Sequence, residues 1–423
     1  MLDIKLIRQN PEKVKTACKN KQVKVDIDAL LGIDKKRREI LQAIEEIRAK
    51  KNEASDKIVK TKLDSEKKGI ISKMKELDKK GERIEKSFNI LTKEFNDLML
   101  QIPNIPFDDV PVGKDDTGNV VMREVGEKPK FDFKFKNYLE LAENLDLIDV
   151  KRAAKTSGSR FGFIKREAAF IEFALINFVF EKLIKEGFVP VLPPVMLKEN
   201  MARGTGYFEA ADRKEAYFFP EDNLYLVGTA EQSLLAMHAD EILEGKELPK
   251  RYLGFSTCFR REAGAYGKDT KGILRVHQFD KIEMLSFCQP EKSKEEHEFL
   301  LSLEEKLMQS LAIPYRTVKI CTGDLGRPAA AKYDIEAWIP SENRFRETHS
   351  TSNCTDFQAR RLNIRFRDKT EKLDFVHTLN GTAFAIGRIL IAIIENYQQK
   401  DGGILIPDAL HKYLPFKEIH PFK

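Results

Sequence analysis

Long hydrophobic runs are missing from this chain: nowhere do about 18 apolar residues follow one another, so no membrane span is expected. Metal-ligand and disulfide spacings are missing too. The five cysteines, Cys18, Cys258, Cys288, Cys321 and Cys354, form no C-x-x-C pair and no Cys/His cluster, which predicts free thiols in a reducing compartment and no zinc site. The first fifteen residues mix charges of both signs. They lack the apolar core of a signal peptide and the acid-poor, Arg/Ser-rich pattern of a transit peptide, so the cytoplasm is the expected location. Nor is there a large charge of one sign. Against 67 acidic residues stand 73 basic ones, a formal charge of +6, which permits a nucleic-acid partner without requiring one.

What is present is a chain of 423 residues with 42% apolar content, enough to bury a sizeable core in two or more units. From Leu30 the apolar positions run Leu30, Ile33, Ile40, Ile44, Ile47, Ala54 and Ile58, interrupted at Arg37 and Lys51. After a polar stretch a second seam runs Ile70, Met74, Leu77, Ile84, Phe88, Leu91, Phe95, Leu98 and Ile102, with Gly81 in its gap. Spacings of three and four are those of a coiled coil. Two such seams across a short turn predict an antiparallel helical hairpin with arms of about 50 Å. Residues 34–86 carry 18 Lys/Arg against 12 Asp/Glu, so the whole chain's surplus sits on this rod. That surplus either keeps a solvated coiled coil soluble or lies along a phosphate backbone.

Pro103, Pro106, Pro111, Gly113 and Gly118 end the second seam. They predict a hairpin domain over 1–103, a linker over 104–130 and a second domain over 131–423. In the second domain the pattern predicts an amphipathic helix over 165–187 and strands over 189–197, 224–227, 252–259, 282–287 and 333–339. A strand or loop over 367–388 then feeds a closing helix over 389–398. The expected class is α+β, with a mainly antiparallel sheet flanked by helices.

Five runs stand out as carriers of chemistry. Phe259-Arg260-Arg261-Glu262 precedes a polar loop over 263–273 and the strand-like Leu274-Arg275-Val276-His277-Gln278-Phe279-Asp280-Lys281-Ile282-Glu283, which places charged side chains on one exposed face. Leu379-Asn380-Gly381-Thr382-Ala383-Phe384-Ala385-Ile386-Gly387-Arg388 runs into an apolar helix. There small residues let the backbone approach a ligand, and an arginine at a helix start can face a polyphosphate. The others are Gly187-Phe188 leading to Pro193-Pro194, Thr229-Ala230-Glu231, and Phe345-Arg346-Glu347-Thr348-His349-Ser350-Thr351-Ser352-Asn353 followed by Asp356-Phe357-Gln358-Ala359-Arg360-Arg361. Taken singly, each is compatible with a surface hairpin, a helix-strand connection or chance.

Taken together and in their order along the chain, the runs resemble the seryl-tRNA synthetases of the class II aminoacyl-tRNA synthetases, whose motifs 2, 3 and 1 are the first three named. With the opening residues and the basic hairpin, the resemblance covers nearly the full chain. It implies an ATP-dependent ligase that joins L-serine to tRNA(Ser), works as a homodimer away from membranes, uses Mg²⁺ and grips the tRNA variable arm with the hairpin. It leaves open whether tRNA(Sec) is charged as well. Arg260, Glu347 and Arg388 are implied as catalytic. Serine is implied to sit on Thr229, Ala230, Glu231, Glu283, Asn380 and Thr382, with Glu231 and Thr229 at its ammonium end and Glu283 and Thr382 at its hydroxyl. ATP is implied to contact Arg260, Arg261, Glu262, Val276, Phe279, Glu347, Thr348, His349, Ser350 and Arg388, with Glu347 and Ser350 holding the metal. Pro194 matches the motif 1 proline. Two positions depart from the family pattern: Ala383 stands where many relatives carry glycine, and the run over 204–220 differs from the usual bacterial one.

Two other functions keep the same motifs. One is an amino-acid ligase that loads a carrier protein, although such relatives generally lack the basic hairpin. The other is a non-catalytic scaffold that binds nucleic acid or protein, against which stands the retention of Arg260, Glu262, Glu283, Glu347 and Arg388.

Overall fold

The computed structural model describes residues 1–60, 62–207, 212–263 and 271–422. The chain forms two compact units: residues 2–19 with 23–103, and residues 1 and 20–22 with 104–423.

The smaller unit opens with the short helices Ile4–Gln9 and Pro11–Asn20 and is dominated by two long ones, α1 (Ile27–Lys60) and α2 (Asp64–Gln101). At 34 residues, α1 is about 51 Å long. α1 and α2 pack along the predicted seams, whose positions are all at least half-buried. The irregularities in those seams have physical causes. Arg37, where the first seam breaks, lays its guanidinium 4.3 Å from the centre of the Phe95 ring, so a cation–π contact replaces an apolar one. Lys51, the second break, pairs with Asp78. Opposite Ile47 the chain has Gly81, where a Cβ would lie 3.7 Å from the isoleucine methyl.

The larger unit is built on an eight-stranded sheet of β1 (Val120–Val125), β2 (Val189–Val191), β3 (Lys250–Phe259), β4 (Gln278–Cys288), β5 (Tyr315–Lys319), β6 (Ala331–Ile339), β7 (Arg344–Asn353) and β8 (His377–Ala385). The spatial order is β1-β5-β6-β7-β8-β4-β3-β2. Every pairing in it is antiparallel except β2 with β3. Segment 104–130, expected as a linker, belongs to this unit and supplies its edge strand β1. The predicted strand over 189–197 divides at Pro193-Pro194 into β2 and a separate strand, Met196–Lys198, because proline lacks the N–H a ladder needs.

The main core covers one face of the sheet. Helices α3 (Arg166–Ile184), α5 (Ser293–Ser310) and α7 (Ile386–Asn396) press Phe178, Leu300, Leu307, Ile389 and Ile393 against Ile282, Met284, Ile335 and Phe384. Burying each such side chain contributes about 1.5–3 kcal/mol. A smaller cluster on the opposite face joins Ala230 and Leu234 of α4 (Ala230–Ala236) to Leu285, Phe287 and residues of α6 (Phe357–Leu362). What remains of that second face, from β3 to β6, is left open and polar.

Candidate active site

On this open face lies a cavity of about 560 Å³, of the size that holds a small ligand. Two bulges decide what reaches it. β6 and β7 pair Ile335 with His349 and then Glu336 with Glu347, leaving Thr348 as the extra residue. Ordinary alternation would put Glu347 on the face of His349. With one residue inserted, Glu347 joins Ser350 and Ser352 at the cavity wall. Likewise β4 and β8 pair Ile282 with Phe384 and Glu283 with Thr382, so Ala383 is extra and Ala385 lines the cavity with Asn380 and Thr382. Ala383 is fully buried and is not among the described residues with positive φ, so an alanine fits there without strain.

At one end the wall is dominated by charge. Arg260 donates from Nε and an Nη to the Gly228 carbonyl at 3.2 and 3.1 Å, and its guanidinium carbon lies 5.2 Å from the Phe279 ring centre. Glu262 turns the chain with a left-handed φ of 50° and accepts from Arg275 at 3.0 Å. Across the cavity Arg388 donates to the Glu347 carbonyl at 2.9 Å and lies 3.4 Å from its carboxylate. Enclosure by protein favours the neutral form of Glu347, but Arg388, Lys332 and Arg260 hold its carboxyl well below the usual range. The carboxylate itself remains open to the cavity.

At the other end the groups are buried and mutually bonded. Thr229 caps α4: its hydroxyl accepts from the Glu231 N–H at 3.3 Å and donates to Glu283 at 3.0 Å. Glu283 is also paired with Lys281, two residues earlier on β4 and therefore on the same face. Glu231 accepts from Gln358 at 2.8 Å, Asn380 at 3.0 Å and the Tyr207 hydroxyl at 3.2 Å. Burial, and then the neighbouring Glu283, push its carboxyl up to about 7 against the Gln358 and Tyr207 donors and the Lys281 charge.

Of the expected site residues, Thr229, Glu231, Arg260, Glu262, Val276, Phe279, Glu283, Glu347, Thr348, Ser350, Asn380, Thr382 and Arg388 all line the cavity. Three do not reach its wall. Ala230 is fully buried in the smaller core cluster beneath Gly254. Arg261 swings out, 5.8 Å from the Tyr217 ring. His349 alternates with Ser350 and so falls on the far face, 5.5 Å from Phe384, where burial pushes its imidazole down to about 3. The loop over 263–273 and the unusual run over 204–220 lie partly outside the described residues.

Sequence reasoning gave no role to Tyr207, Arg275, Lys281 or Lys332, all of which line the cavity. Strand alternation from Glu283 was signal enough for Lys281. Lys332, ion-paired with Asp334 at 3.2 Å, had no such signal, since its strand meets the site only through tertiary pairing. Glu347 and Ser350 offer hard oxygen donors with an ionised carboxylate. No group of three or more His, Cys, Asp or Glu able to hold a metal occurs among the described residues. That donor set fits Mg²⁺, which takes one or two protein oxygens and completes its shell with water and phosphate.

Residues 1–106 match the family model described as seryl-tRNA synthetase N-terminal domain, and residues 217–397 match the tRNA synthetase class II core domain (G, H, P, S and T). The chain is 45% identical to the serine–tRNA ligase of Dictyoglomus turgidum over the whole of both chains. It is 43% identical to that of Nitrosopumilus maritimus, covering 98% of this chain and 99% of the other. Among solved structures, the seryl-tRNA synthetase from Pyrococcus horikoshii complexed with ATP matches with a TM-score of 0.92 at 43% identity, covering all of both chains. The cytoplasmic serine–tRNA ligase from Naegleria fowleri in complex with AMP matches at 0.86 and 32% identity, covering 100% of this chain and 99% of that one.

Proposed function

The chain belongs to the seryl-tRNA synthetases, and from that premise we propose how its own residues activate serine with ATP and pass it to tRNA(Ser). The observation that carries the proposal is the two-ended cavity: arginines around an ionised carboxylate at one end, and a buried carboxylate pair beside amide and hydroxyl groups at the other.

In activation, a serine carboxylate oxygen forms a bond to the α-phosphorus of ATP as the bond to the departing pyrophosphate breaks. No proton moves, so the protein's task is placement and charge neutralisation. Arg260 faces the α-phosphate, and Arg388 and Arg275 take the terminal phosphates. Phe279 stacks on adenine, with Glu262 and the Val276 backbone at its edge. Glu347 and Ser350 hold Mg²⁺, which supplies further positive charge to the triphosphate when bound. Glu231 and Thr229 take the ammonium group and Glu283 and Thr382 the hydroxyl, with Asn380 bridging them. A site that hydrogen-bonds a hydroxyl strongly rejects glycine and alanine, which lack it.

The hairpin, with its six surplus positive charges, serves as the grip on tRNA(Ser). We include tRNA(Sec) as a second acceptor, checked by charging both transcripts. Homodimerisation is supported by the exposed apolar side chains Phe170 and Phe173 on α3 and Val189 and Leu192 at β2. Five buried cysteines without a disulfide support a cytoplasmic setting.

The test is pyrophosphate exchange with ATP over a panel of amino acids, without tRNA. Exchange with serine alone, lost in Glu283→Ala, is the expected result. No exchange with any amino acid returns the protein to a binding scaffold.

A further inference from the structure

We propose that Gln358 is a positioning residue for serine selection, orienting the Glu231 carboxylate toward the ammonium group of the substrate; this rests on the assignment of Glu231 to that group. Gln358 is fully buried on α6, outside the cavity wall, and among the described residues its hydrogen bond to a cavity-lining side chain goes to Glu231. Its Nε2 donates to Oε1 of Glu231 at 2.8 Å and to the Thr205 carbonyl at 3.0 Å. Its Oε1 accepts from the Thr378 hydroxyl at 2.6 Å. These three partners fix the amide. Turned over, its oxygen would face a carbonyl and a carboxylate, both acceptors, while its nitrogen met the hydroxyl.

The division of bonds at Glu231 leaves a place for the substrate. Oε1 receives Gln358 and Asn380, at 2.8 and 3.0 Å. Oε2 receives the Tyr207 hydroxyl at 3.2 Å, which is shared with Oε1 at 3.3 Å. Oε2 is thus the oxygen with capacity left for an ammonium donor. The charged and titratable groups that face Glu231 are Glu283 and Lys281 on β4, Tyr207 and the buried Cys354 thiol. Burial and Glu283 favour the proton on Glu231, and the Gln358 donor is the leading influence opposing it. Removing that donor releases the carboxylate from its orientation and leaves it protonated to higher pH. A protonated Glu231 offers the ammonium group no charge.

The experiment uses the full-length protein and serine-dependent pyrophosphate exchange between pH 6 and 9, with Gln358→Met. The expected result is a rise in KM for serine on the order of tenfold at pH 7, shrinking as pH rises, so that the acid limb of kcat/KM for serine moves to higher pH. The KM for ATP and kcat at saturating serine stay within about twofold of the unaltered protein. A general loosening of the site would lower kcat and would not recover with pH. If the Met variant does not fold, Gln358→Glu decides. It keeps the size and polarity but sets a second carboxyl against Glu231, and the same limb must again move upward. An unmoved limb in the variant that folds overturns the positioning role. Glu231→Gln separates the two levels: if it leaves the KM for serine unchanged, the ammonium assignment itself fails; if it raises that KM while the Gln358 variant does not, only the role of Gln358 is lost.

Discussion

Gly381 lies between two residues of the proposed serine site, and its backbone runs close over α5. A Cβ there would come within 2.9 Å of a Glu304 carboxyl oxygen and 3.1 Å of the Met284 methyl. Gly381→Ala is therefore expected to destabilise the larger unit by about 1–3 kcal/mol as an overpacked core position. Because Asn380 and Thr382 ride on the same strand, it should also raise the KM for serine, and urea unfolding with serine titration checks both. In its proposed role, Glu231 sets the pH dependence at this scale. Its carboxyl is pushed up to about 7 in the free protein, and the ionised form is the one that holds an ammonium group. As pH falls below 7, kcat/KM for serine should decline toward tenfold per unit, while kcat at saturating serine falls less, since kcat/KM follows the free enzyme. A kcat/KM flat from pH 8 to 6 would remove Glu231 from that role.

The elements owe their placement to a few local devices. At the base of the hairpin Asp34, 2% exposed, accepts from Arg8 at 2.7 and 2.9 Å and from Arg38 at 3.2 Å. Burial favours the neutral acid, but the two arginines outweigh it and hold the carboxyl below its ordinary range. A depressed carboxyl stabilises the fold above its unfolded pKa of about 4, and that stabilisation is lost as pH falls through the folded value. Asp34→Asn should accordingly weaken protection of the first turns of α1 against hydrogen exchange by about 1–3 kcal/mol at pH 7. The difference from the unaltered protein should narrow in acid. In the larger unit the comparable devices are the bulges at Thr348 and Ala383. They bring Glu347 and Ala385 to the cavity wall, and they separate Glu347 from His349, which strand alternation alone would have kept on one face.

For the whole molecule, the surplus of basic residues over 34–86, the proposed grip on tRNA, is expected to separate two reactions. Contacts to phosphates weaken steeply with salt through counterion release, whereas small substrates in an enclosed cavity are screened less. Between 50 and 200 mM salt the KM for tRNA(Ser) should rise by at least tenfold while serine-dependent exchange changes by less than threefold, as parallel assays would show. Much of this was legible in one dimension. The seams of the hairpin follow from short-range periodicity, the α+β class and the antiparallel sheet are suggested by strands set apart by irregular connections, and most cavity residues come from runs of chain neighbours that resemble the family's motifs. Tertiary structure decided the rest. It brought Lys332 and Tyr207 to the cavity, drew an edge strand of the sheet, Val120–Val125, from the segment 104–130, and sent Ala230, Arg261 and His349 elsewhere. Periodicity states which residues share a face, but one inserted residue reverses that face, and the insertion is defined only by the partner strand. Charges gathered from distant strands follow the same logic: each was visible in the sequence, and their mutual distance was not.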